Sequence, residues 1–161
     1  MAKEEFDIKT EYENLRKKYT KLPNFEVLNN EFELKSIEKN ILITRQIRRR
    51  LADKVIFFCR ILENIIYPSV QSTISAYEAS FFNEEEKRKL VELHKKLMVF
   101  ERQSLGLDVD TTEQDDVNFI LKLFDEWKNF KNEVKSTTLI IEGAWKKELK
   151  EEGEKYFGWN L

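Results

Sequence analysis

Four arginines within six positions, Arg45, Arg48, Arg49 and Arg50, are the densest concentration of chemical potential in this chain. A guanidinium carries five donors in a fixed fork, a geometry suited to carboxylates and phosphates. Arg48 falls on an apolar seam, Ile37, Ile41, Thr44, Arg48, Leu51, Val55, Phe58, Leu62 and Ile65, whose steps alternate between four and three. A cation at such a position is paired and hydrogen-bonded, or snorkels from the seam's edge, or belongs to an anion site. The first reading predicts a structural ion pair for Arg48, with Glu63, Glu78 and Glu101 as acids near apolar positions able to meet it. The last predicts an anion or phosphate site built from Arg45, Arg48 and Arg49.

Charge is segregated along the chain. Residues 35–60 hold eight bases against two acids, and residues 101–126 hold eight acids against two bases. The two blocks cancel, and their simplest arrangement is face to face, within a chain or across a dimer. The formal net charge of −2 gives the whole chain no strong attraction to nucleic acid or anionic lipid. A short basic stripe over Arg45–Arg50 nevertheless allows phosphate contacts, so nucleic acid is a possible partner, though not the favoured one.

Other reactive groups are scarce. His94 is the single histidine and Cys59 the single cysteine. One histidine excludes the paired Glu-x-x-His sets of di-iron bundles, and the Cys/His complement is too small for zinc. Cys59 sits in an apolar run and reads as buried packing. Asp108, Asp110 and Glu113 lack the central Gly and distal Glu of a calcium loop. They read instead as acids favoured at a helix start. There is no Gly-rich phosphate loop and no nucleophile elbow. The sequence thus points to no catalytic residue, cofactor or metal. Arg88 and His94 do form an Arg-x5-His spacing that resembles the short motif of HEPN ribonucleases, which are also helical bundles. In that family the two residues serve RNA cleavage at a dimer interface. The resemblance spans seven residues, with Lys89 where the family carries a small polar residue, and does not amount to a family assignment.

The elements that must position these groups are helical. Gly is 4 and Pro 2 in 161 residues, too little punctuation for many strands, while Lys and Glu favour helices. The expected fold class is all-α: a bundle of three long and two or three short helices with coiled-coil-like seams, in one domain over residues 1–161. Residues 1–9 are expected as an extended arm. Thr10 and Glu13 read as the capping box of a first helix, and Asn24 as the cap of a second. Ser36 is expected to cap a helix running over residues 36–67, ended by Pro68. Val70, Ile74, Tyr77 and Phe81 predict the inward face of the next helix. Asn83 with Glu86 opens another, with Leu90, Leu93, Leu97 and Phe100 as its seam and Gly106 near its end. Thr111 with Gln114 opens the last, whose seam is Ile120, Leu123, Trp127, Phe130, Val134, Thr137, Ile141 and Ala144, with Gly153 as its stop.

The chain closes on Tyr156, Phe157, Trp159 and Leu161, large apolar groups that must find cover. They can pack back onto the bundle; alternatively Tyr156, Phe157 and Trp159, with Trp127, form a candidate interface, since aromatic anchors dominate contact energetics. No apolar signal core opens the sequence, and its most apolar window falls short of the roughly 20 residues of a membrane span. The expectation is a soluble cytoplasmic protein that is not an enzyme. It is expected to act through protein contacts, as a homo-oligomer or a subunit of a complex. The alternative is an RNA- or nucleotide-handling bundle using the Arg45–Arg50 cluster with Arg88 and His94.

Overall fold

The computed structural model describes residues 6–38 and 42–157, with side chains through Lys150. All regular structure among them is helical: α1 (Ile8–Lys18), α2 (Phe25–Phe32), α3 (Ile43–Ile66), α4 (Thr73–Ala79), α5 (Glu84–Val109) and α6 (Glu113–Phe157), with a 3-10 turn at Leu34–Ser36. The expected all-α bundle, with three long and three short helices, is what forms.

Local chemistry sets the helix starts, in places one step away from expectation. Asp7, rather than Thr10, caps α1: its carboxylate accepts from the backbone N–H groups of Lys9 and Thr10. Ile8 and Lys9, expected in the extended arm, are therefore helical, and Ile8 is buried; residues 1–5 of that arm lie outside the described residues. Asn24 caps α2 as expected, accepting from the N–H of Glu26. Asn83 and Glu86 form the reciprocal box that opens α5, at 2.8 and 2.9 Å. At α6 the box is Thr112 with Asp115, one residue beyond the expected Thr111 and Gln114. A shorter Asp can close the same ring that Glu or Gln closes.

The largest departure concerns the long basic helix. Ser36 does not cap it. Ser36 ends a 3-10 turn, Ile37 is extended, and Leu42 takes a left-handed backbone at φ 51°, so α3 begins only at Ile43. Ile37 is still buried, so this seam position is filled from an extended segment. Ile41, the next seam position, lies outside the described residues. The helix stops at Ile66, two residues before Pro68, as a residue preceding proline disfavours helical geometry. Gly153 does not stop α6, which continues to Phe157.

The backbone groups into two compact units. One comprises residues 1–59 and 96–128. Its core is made by Tyr12, Leu15, Phe25, Leu28, Phe32 and Leu34 with the proximal parts of α3 and α6 and the distal part of α5. The other comprises residues 60–95 and 129–161. Its buried set is smaller: Leu62, Ile65, Ala79, Phe82, Leu90, Leu93, Phe130, Val134 and Thr137. Here α4 departs from the expected face. Val70 and Ile74 are exposed and Ala79 is the buried residue of that helix.

Candidate functional site

The arginine cluster lies in the first unit, on the first two turns of α3. Helical spacing separates its members. Arg48 points inward and is 0% exposed, whereas the side chain of Arg49, one residue on, is 54% exposed. Burying a guanidinium demands that each donor be met, and four acceptor contacts are made. Nε donates to Asp116 Oδ1 at 2.6 Å. Nη1 donates to the Ser104 carbonyl at 3.0 Å and to its hydroxyl at 2.6 Å. Nη2 donates to Asp108 Oδ1 at 2.5 Å.

The acids that meet Arg48 are therefore Asp108 and Asp116, not Glu63, Glu78 or Glu101. Their places in the helices explain the choice. Asp116 stands in the first turn of α6, where the helix dipole favours an anion. Asp108 stands in the last turn of α5, which has no basic residue of its own to balance the negative end of the dipole. The guanidinium of Arg48 supplies that balance. One side chain of α3 thus joins the end of α5 to the start of α6. The side chain of Asp116 is 3% exposed, and its oxygens also accept from the hydroxyls of Thr44 and Thr111, each at 3.3 Å. Asp108 is shared with Arg49, whose Nε lies 3.0 Å away. Burial alone would raise the Asp108 carboxyl, but hydrogen bonds and charge from Arg48 and Arg49 more than offset it and hold the group below its ordinary value. Through these pairs the basic and acidic blocks meet within one chain.

A signal for Asp116 was present in the sequence. It lies four residues before Ile120 and so extends the α6 seam by one step. A carboxylate on one seam and a guanidinium on another are natural partners.

Arg45 behaves differently from Arg48. Its Nε is sealed from solvent with no hydrogen-bond partner. It lines a cavity of about 260 Å³ together with Leu42, Thr44, Thr111, Thr112 and Asp116. Arg50 reaches the Ser36 carbonyl at 3.4 Å and, with Arg49, lines a separate open groove.

Trp127 is a core residue rather than an exposed anchor. It is 4% exposed, stacks on Phe58 with centroids 4.9 Å apart, tilts against Phe32 at 4.6 Å, and donates its indole N–H to Glu31 at 2.9 Å. A seam position on a long helix reads equally as core or interface, and this one is covered by its own chain. The side chains of Tyr156 and Phe157 and the whole of Trp159 lie outside the described residues.

Neither a known protein family, nor a curated protein, nor a solved structure matches this chain.

The second unit holds His94. Its Nε2 lies 3.1 Å from Glu63 Oε1, and Tyr67 meets the ring edge-on at 6.2 Å. Arg88 is exposed on the same helix, and six residues of α-helix leave it roughly 120° around the axis from His94. The spacing that resembles the HEPN motif does not converge here on one helix face. Among the described residues no group of three or more His, Cys, Asp or Glu side chains is placed to hold a metal. No described helix is long and apolar enough to cross a membrane.

The unit's other distinctive feature is the end of α6. From Thr138 to Lys150 no residue is buried, although Leu139, Ile140, Trp145 and Leu149 are large and apolar. Trp145 is the best held of them. Its indole N–H donates to Glu78 at 2.9 Å, and Tyr77 and Phe81 meet its ring at 5.3 and 6.2 Å.

Proposed function

We propose that this chain is a helical interaction module that acts by self-association, with the distal part of α6 as its contact surface. One observation supports this reading above others. A continuous helix carries Leu139, Ile140, Trp145 and Leu149 in exposed positions, with Leu149 70% exposed. Large apolar groups left in water along a helix can mark a contact site, and Trp145 and Leu149, four residues apart, share one face. The half-exposed seam residues Ile141 and Ala144 continue the stripe buried earlier in α6, which suits packing against another helix. The aromatic groups of the C-terminal tail, Tyr156, Phe157 and Trp159, follow the charged run of residues 146–155 and would add apolar anchors.

The test is the molar mass by light scattering over a concentration series, for the native chain and Trp145→Ala. The reading expects a mass above that of one chain, falling toward it on dilution and falling sooner in the variant. A mass of one chain at every concentration contradicts self-association. If that mass rises only when another protein is added, the module serves a mixed assembly instead.

The alternative, a phosphate-contacting bundle that handles RNA or nucleotides, draws its support from Arg45, Arg49 and Arg50. Arg48 is committed to Asp108 and Asp116, which shortens the stripe open to a nucleic-acid backbone. Binding of single-stranded RNA that falls steeply with salt would favour it, and no binding at low salt would remove it.

A further inference from the structure

We infer that α4 is a detachable strap over the distal part of α6, one that masks Trp145 in the single chain and yields it when a second copy docks; this rests on the self-association proposed above and assigns its regulation. The first observation is how lightly the strap is fastened. Ile65 and Phe82 pin its two ends, at 2% and 3% exposed, and of the residues between them only Ala79 is buried. Tyr67, Val70 and Ile74 stand in water. Residues 64–77 carry no charged side chain, so salt bridges cannot reinforce them. The helix itself is seven residues, Thr73–Ala79, and a helix under about 12 residues is marginal on its own. Tertiary contact must therefore hold it.

The second observation is where that contact falls. The Glu78 carboxylate accepts the Trp145 indole N–H at 2.9 Å. The Tyr77 and Phe81 rings meet the indole at 5.3 and 6.2 Å and each other at 4.9 Å. Tyr77 and Glu78 lie on α4, and Phe81 just beyond it. Trp145 is therefore the clasp. It is 36% exposed, against 54% for Leu139 and 70% for Leu149, so α4 covers Trp145 and leaves its apolar neighbours open.

A clasp of this kind opens readily. Its hydrogen bond is exposed to competing water, and edge-on ring contacts at a surface bury little area. Lightly packed segments open locally at a small fraction of the global unfolding free energy. A ligand that binds only the open form draws the population toward it, and its apparent affinity is reduced by the open fraction. With a second copy as that ligand, α4 holds the observed association below what the bare α6 face supports. Loosening α4 and truncating Trp145 must then act in opposite directions. One removes the competitor, and the other removes the anchor for which the strap and the second copy compete.

The experiment is light scattering of the full chain over a concentration series for Tyr77→Ala, Glu78→Ala and Ile74→Lys, with hydrogen exchange of the native chain. Tyr77→Ala and Glu78→Ala should each strengthen association about fivefold, the worth of one aromatic pair or ordinary hydrogen bond. Ile74→Lys, at an exposed position of α4, should leave it within about twofold. The amides of α4 should exchange well ahead of those of α3. Circular dichroism of each variant checks that the long helices persist. Weaker association in Tyr77→Ala or Ile74→Lys would make α4 part of the contact face, overturning the strap while self-association stands. Unchanged association in both Tyr77→Ala and Glu78→Ala overturns it as well. Exchange in α4 as slow as in α3 does so whatever the mass. A single-chain mass for the native chain and both loosened variants would instead remove self-association, and the strap's role with it.

Discussion

The proximal and distal stretches of α6 belong to one uninterrupted helix and solve opposite problems. Between Asp116 and Thr137 the helix buries Val117, Phe119, Ile120, Leu123, Trp127, Phe130 and Val134, with steps of three and four from Ile120 onward. Beyond Thr137 the apolar residues continue, but none is buried through Lys150. The proximal stretch is covered by its own chain and carries the buried Arg48–Asp116 ion pair. The distal stretch keeps the helical pattern without the cover. The lesson is that a periodic apolar pattern records that a face will be packed, and does not record whether the packing comes from the same chain.

The largest expected effect is on the proximal side. Arg48→Ala leaves Asp116 buried without its counter-charge and should cost about 3–5 kcal/mol of stability by urea denaturation. A loss under about 1 kcal/mol would mean that the network contributes register rather than stability. Trp127→Ala removes a stacked, fully packed indole and should cost a similar 3–5 kcal/mol. Its counterpart Trp145→Ala should cost roughly 1 kcal/mol at most in unfolding of the isolated chain, since its ring is partly exposed and its indole bond is solvent-accessible. The two tryptophans therefore separate stability from association.

A smaller effect follows from pH. Asp108 is held below its ordinary pKa, so its stabilising contribution is complete above the unfolded value, roughly 3.9, and is lost as pH falls through the lower folded value. Stability should decline on acidification below about pH 4, and Asp108→Asn should be less stable at neutral pH with a shallower acid decline. An unchanged acid limb in the variant would assign that decline to other carboxylates, such as Glu113 beside Lys18. The smallest effect is that of Arg49→Ala. This exposed partner of Asp108 should change stability by no more than about 0.5 kcal/mol, which measures what exposure alone removes from an ion pair one residue from Arg48.

Much of the architecture was legible because it depends on local rules. Leu90, Leu93, Leu97 and Phe100 are all buried, as their spacing required, and Asn83 with Glu86 opens α5 through side chains three residues apart. What was not legible depends on distant partners. Arg48 announced a need for an acid, but its choice of Asp108 and Asp116 follows from where α5 ends and α6 begins. Ser36 has the chemistry of a cap and does not cap α3, because the left-handed Leu42 delays the helix. Val70 and Ile74 have a helical spacing in the sequence yet lie exposed: Val70 precedes α4, which begins only at Thr73 and buries Ala79 instead. The unmet Nε of Arg45 had no signature in the sequence beyond its place in a basic run.

The account rests on the distal part of α6 being a contact surface, and sedimentation equilibrium tests it most directly. The chain has a mass of 19.4 kDa. The native protein should sediment as a multiple of that mass, and the double variant Leu139→Lys/Leu149→Lys should return to a single chain with its helical signal and unfolding midpoint retained. A native protein of one-chain mass at all concentrations, or a double variant that assembles as well as the native chain, would contradict the account.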